Sequence, residues 1–81
     1  MIREIIITGA GVQTSNGVYE RVTNEKFICP ENQNRIALGV DGWTLTDSTS
    51  DDQTYMFDKE FKTVFAVGDC IEPVPNYELV Y

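Results

Sequence analysis

Histidine is absent from the 81 residues, so the side chain used most often as general base and metal ligand near neutral pH is missing. Cysteine is scarce. Cys29 and Cys70 are the two present, with no CxxC pair and too few thiols for a structural zinc site. Neither sits in the cationic surroundings that make a reactive thiolate: Lys26 falls on the other side of the pleat from Cys29, and Cys70 has acidic neighbours. Both are expected to be reduced, structural thiols. No apolar run is long enough to span a membrane, and the opening "MIREII" is too short for a secretory signal. Positive charge is also in short supply. Six basic residues against thirteen acidic ones give a formal charge of −7, which disfavours both nucleic-acid backbones and anionic membrane surfaces.

What is present is a folded-protein composition, 42% hydrophobic with nine aromatics, in a chain sized for one domain over residues 1–81. Helical periodicity is nearly missing. Short runs of β-branched and aromatic residues alternate instead with turn signals every eight to twelve residues or so. Glu4–Thr8, Val18–Val22, Lys26–Cys29, Arg35–Val40, Trp43–Thr46 and "TYMF" read as strands, and "YELVY" reads as a terminal strand able to pair beside the first. Three consecutive isoleucines, Ile5 to Ile7, suggest burial on both faces of the first strand. Asp41-Gly42 reads as a two-residue hairpin loop. "DKEFKTVFAV" is ambiguous: Phe61 and Phe65 lie four apart as on a helix face and Asp58 could cap it, yet Thr63, Val64 and Val67 favour strand. The fold class expected is all-β, a small antiparallel β-sandwich or partly open barrel of about six to seven short strands.

The stretch "REIIITGAG" invites comparison with a dinucleotide-binding turn. That turn needs three glycines and a following helix. Gly9 and Gly11 fill the first two positions, but Thr14 stands at the third, and Asn16-Gly17 signals a turn where the helix should begin. A strand and a turn are the better reading, and no cofactor is expected.

Chemistry finds little else to stand on. Asp47, Asp51 and Asp52 lie in a Ser/Thr-rich loop, where solvated surface charges are a better reading than a catalytic pair, which needs partial burial. The loop lacks the ligand spacing, central Gly and terminal Glu of an EF-hand. No catalytic or metal-binding residue is assigned. The aromatics are mostly core, with Trp43 as an anchor.

The residues "ITGAGVQTSNGVYERV", "RIALGVDGWTLTDS" and "TYMF" together resemble a small β module of bacteriophage virion proteins. The matching positions are Gly9, Gly11, Asn16, Gly17, Tyr19, Ile36, Trp43, Leu45 and Tyr55, over about residues 5–57. The resemblance implies a non-enzymatic structural or accessory role in a tail fibre, baseplate or capsid decoration, in a virion assembled in the host cytoplasm. Its partners would be virion proteins or copies of itself, forming a homo-oligomer or a larger assembly, with host glycan recognition as an additional role. Such modules sit within long fibre proteins, so a chain running from Met1 to Tyr81 is expected to act as a stand-alone accessory protein. The alternative is an acidic phage-encoded inhibitor that covers a basic, nucleic-acid-binding surface of a host protein. The interaction residues expected are Tyr77, Leu79 and Tyr81, because an apolar terminal strand readily pairs with a sheet.

Overall fold

A computed structural model describes residues 1–68 and 72–81. Among these residues eight strands form a single antiparallel sheet: β1 (Glu4–Thr8), β2 (Gly17–Thr23), β3 (Lys26–Ile28), β4 (Arg35–Leu38), β5 (Trp43–Thr46), β6 (Gln53–Phe57), β7 (Val64–Ala66) and β8 (Asn76–Val80). Their order is β7-β6-β5-β4-β3-β2-β1-β8. Seven strands form a simple meander, and the last returns to the free side of β1. The sheet curls on itself as a half-barrel. Of the two architectures expected, the partly open barrel is therefore the one found. One sheet folding over its own concave side makes a second sheet unnecessary.

Side-chain alternation decides which way each strand faces. Ile5 and Ile7, Tyr19, Phe27, Ile36, Trp43 and Leu45, and Tyr55 and Phe57 all point inward and are buried. Val64 and Ala66 of β7 and Tyr77 and Leu79 of β8 pack against the same core. Ile6, between Ile5 and Ile7, lies on the convex face. It is only half-buried there, opposite Val18 and Glu78. The expectation of burial on both faces fails because no described element packs over the outside of the curl at Ile6.

Aromatic rings fill one end of the half-barrel. Trp43 is 6% exposed. Its ring stacks on Phe61 at 5.1 Å and meets the edge of Phe27 at 5.4 Å, while its indole N–H donates to the Lys59 carbonyl at 3.2 Å. Phe61 reaches this place from the β6–β7 turn with φ of +56°, an uncommon conformation for a bulky residue. Arg21 closes the same region from β2. Its guanidinium lies 4.5 Å from the Phe27 ring centre and donates to the carbonyls of Ile2, Thr23 and Asn24.

Two glycines answer questions raised by the sequence. Gly11 ends the Gly-Ala-Gly stretch where the chain entering β8 crosses it. Its N–H donates to the Pro73 carbonyl at 2.8 Å, and a Cβ there would collide with the Glu72 carbonyl. The turn thus serves close chain approach. The β4–β5 hairpin departs from expectation. Strand β4 stops at Leu38, which pairs with Trp43, and Gly39 donates to the Gly42 carbonyl at 2.7 Å. Val40 and Asp41 therefore form the tip, and Gly42 flanks it with φ of +139°. A Cβ on Gly42 would strike the Phe57 carbonyl, so this glycine is required by packing against β6 rather than by the tip.

Removing the Trp43 ring would leave Phe27 and Phe61 facing a void. Trp43→Ala is expected to cost about 3–5 kcal/mol, as large aromatic truncations do. Chemical denaturation should show this as a lower midpoint or as failure to fold; an unchanged midpoint would refute the anchoring role.

Candidate functional site

Buried polar groups gather at the end of the half-barrel opposite the aromatic plug. A short 3₁₀ turn, Gln13–Ser15, carries Ser15 into the interior. The Ser15 hydroxyl lies 3.2 Å from that of Thr54, and the Thr54 hydroxyl also reaches the Leu45 carbonyl at 3.3 Å. Tyr19 donates its phenol to the Ser15 carbonyl at 2.8 Å. Asn34 donates to the Thr14 carbonyl at 2.8 Å and accepts from the Ser48 N–H at 2.9 Å. Burial pushes the Tyr19 phenol far above its ordinary range, which keeps it a neutral hydrogen-bond donor. Among the described residues no buried side-chain polar atom lacks a partner. The cluster reads as a knot tying loops together, since among the described residues its hydroxyls are bonded to one another and to backbone carbonyls.

The acidic residues singled out from the sequence do not converge. Asp47 folds onto its own loop, accepting from the N–H groups of Thr49 and Ser50 and from the Thr14 hydroxyl. Asp51 pairs with Arg35 at 2.7 Å on the surface, and Asp52 is exposed. Among the described residues no three His, Cys, Asp or Glu side chains are grouped as metal ligands would be. Cys29 is a free, buried thiol. Cys70 lies outside the described residues.

The terminal strand is divided between the core and the surface. Tyr77 and Leu79 face inward against the core. The Tyr77 ring meets Phe57 edge-on at 5.2 Å, and its hydroxyl donates to the Phe61 carbonyl at 2.7 Å. Burial, with Asp58 adding to it, raises the Tyr77 phenol above its usual range. Tyr81 is 69% exposed, and its carbonyl accepts from the Arg3 guanidinium at 3.0 Å. The backbone of β8 pairs with β1 over Glu4↔Val80 to Thr8↔Asn76. Two of the three residues expected at an interface thus have their side chains turned into this chain's own core.

What the sheet leaves open is a pair of edges, β7 at one limit and β8 at the other. The β7 edge carries a feature not singled out from the sequence. Phe61 and Phe65, though four apart, lie on opposite sides: Phe61 is buried and Phe65 is 51% exposed on the convex face. The turn between β6 and β7 makes this possible. The Asp58 carboxylate accepts from the N–H groups of Lys62 and Thr63, which holds Phe61 in its left-handed conformation and resets the alternation before β7. These backbone donors, Thr63 foremost and then Lys62, keep the Asp58 carboxyl below its ordinary pKa. Donation from Thr49 foremost does the same for Asp47.

Compared with known proteins, the chain matches no family model, no curated sequence and no solved structure.

Because Tyr77 and Leu79 belong to the core, deleting Asn76–Tyr81 is expected to unfold the monomer, seen as loss of cooperative thermal unfolding. A truncated chain that still melts cooperatively would show that β8 is dispensable. The two aspartates predict a pH dependence. A carboxyl whose folded pKa lies below its unfolded value stabilises the fold above that unfolded value, near pH 4 or so, and the contribution vanishes as pH falls through the folded value. The melting temperature should therefore drop below about pH 4. Asp58→Ala should lower it at neutral pH and make the acid-side slope shallower, and a slope identical to the parent would contradict the role of Asp58.

Proposed function

We propose that the chain is a non-catalytic β module that works through protein–protein contact, as a structural or accessory component of a bacteriophage-type virion. The observation that carries the associative reading is the sheet with two open edges, one of them bearing a half-exposed phenylalanine. Unpaired strand edges are ready templates for another chain, and proteins normally cover or blunt them. The setting in a virion comes from the resemblance in "ITGAGVQTSNGVYERV" and "RIALGVDGWTLTDS". Virion proteins or further copies of the chain are the partners proposed, and host glycan recognition is a subsidiary role.

The charge of −7 supports a second reading, an acidic inhibitor held on a basic host surface by its charge. Ionic strength separates the two, because exposed charge pairs are screened over a Debye length of about 8–10 Å near physiological salt while apolar contacts are not. Structural proteins released from disrupted virions should be retained on the immobilised chain, and retention should persist when salt is raised about tenfold. Retention of nucleic-acid-binding host proteins alone, abolished by that salt, would replace the virion reading with the inhibitor.

A further inference from the structure

We infer that strand β7 is a self-association edge, on which a second copy of this chain pairs antiparallel about a two-fold axis at Phe65. The inference rests on the associative reading above and names its partner and register. The first observation concerns which backbone groups are free. The β6–β7 ladder runs Tyr55↔Ala66, Met56↔Phe65 and Phe57↔Val64. On either side of it, the Val67 N–H donates to the Thr54 carbonyl at 3.1 Å and the Asp58 N–H to the Thr63 carbonyl at 3.3 Å. Opposed residues in an antiparallel pair alternate between bonded and non-bonded. Thr54–Val67 and Asp58–Thr63 are bonded, so Met56–Phe65 is bonded too. Val64 and Ala66 must then turn their N–H and C=O groups away from β6, toward the open edge.

A second copy related by a two-fold axis through Phe65 uses just these groups. Val64 of each copy then lies opposite Ala66 of the other, giving four backbone hydrogen bonds. Phe65 faces its own counterpart in a non-bonded pair, where side chains come closest. Inward residues stay inward and outward residues outward, so the sheet continues without a break in its pleat. The paired phenylalanines lie beside Met56, and the neighbouring Thr44 and Ala37 extend the stripe across β5 and β4.

Charge selects both the edge and the occupant. From Asp58 to Gly68 the chain carries two acids, Asp58 and Glu60, and two bases, Lys59 and Lys62. That segment is neutral in a chain of net −7, so two copies can approach there without the repulsion they meet elsewhere. Thr63 to Gly68 holds neither charge nor proline, the devices that usually protect an edge. Strand β8 has them: Glu78 lies within it, and Glu72, Pro73 and Pro75 lead into it. Isologous pairing of a self-complementary patch is also the commonest form of association between identical chains.

The contact is small, so a dissociation constant of roughly 10–100 µM is expected. Sedimentation velocity of the full chain across that range should show a monomer–dimer equilibrium. Phe65→Lys should weaken it at least tenfold while leaving the melting temperature close to the parent's, since Phe65 lies outside the core. Val64→Pro removes an edge-facing N–H that β6 does not use, and it should also yield a folded monomer. Val22→Lys, on the convex face away from β7, should leave the dimer intact. Self-pairing at β7 is overturned by a parent chain monomeric at about 1 mM, or by a dimer that Phe65→Lys and Val64→Pro do not disturb. A monomer that still holds virion proteins refutes the self-pairing and leaves the associative reading standing. A dimer lost in both variants supports the self-pairing whether or not virion proteins bind.

Discussion

A lone sheet with no α-helix among the described residues to lie on it has to bury its apolar side against itself, and the rest of this structure follows from that constraint. Curling brings the inward faces of β1, β2, β5 and β6 together, but a curled sheet has open ends as well as an open seam. The ends are stopped by different means. At one, Phe61 drops from a turn onto Trp43 and Phe27. At the other, the 3₁₀ turn lowers Ser15 among hydroxyls and the Asn34 amide. Tyr77 works along the seam, touching Phe57 with its ring and the Phe61 backbone with its hydroxyl. A small chain obtains in this way an interior that would otherwise need a second layer.

The two stops respond differently to change. An apolar plug tolerates shifts of register among its rings, because dispersion contacts lack direction. A hydrogen-bonded knot does not, since each buried donor or acceptor left without a partner costs about 1–3 kcal/mol. Ser15, Asn34 and Thr54 are therefore the places where this fold is specified rather than merely stabilised. The polar loop from Asp47 to Asp52 is held to this knot through Ser48 and Asp47, so its course is fixed even though most of its side chains face water.

Much of the fold is legible in the amino-acid order. Period-two alternation marks the strands, and Trp43 is recognisable as a core residue from its place in a short strand. The pairing of the last strand with the first follows from its apolar character. The failures share a cause, which is that backbone phase is set by turns whose geometry no local pattern announces. Phe61 and Phe65 look like one face until a positive φ at Phe61 inserts a half-step. Asp41-Gly42 looks like a hairpin tip until contact with Phe57 claims Gly42 for a flanking position. The two ends of the sheet were harder to read. Tyr77 and Leu79 look adhesive in sequence because the strand they pair with, β1, lies at the far end of the sequence, whereas Phe65 looks like core because its neighbours Val64 and Ala66 pack there.

The backbone hydrogen bond from Arg3 to Val80, and the pairing of Ile5 with Leu79, join parts of the chain separated by nearly its whole length. All other strand pairs are made between sequence neighbours. Loop-closure entropy grows only slowly with length, but contacts of such long range raise the mean sequence separation that governs folding speed. The order of assembly follows. The meander from β1 to β7 can form locally while β1 keeps one edge bare, and that edge stays bare until residues 76–80 have emerged and found it. Until then Ile5 and Ile7 are flanked by β2 on one side of β1 only. Cooperative folding is thus expected to hinge on the β1–β8 ladder, the long-range pairing that completes a sheet otherwise built from sequence neighbours.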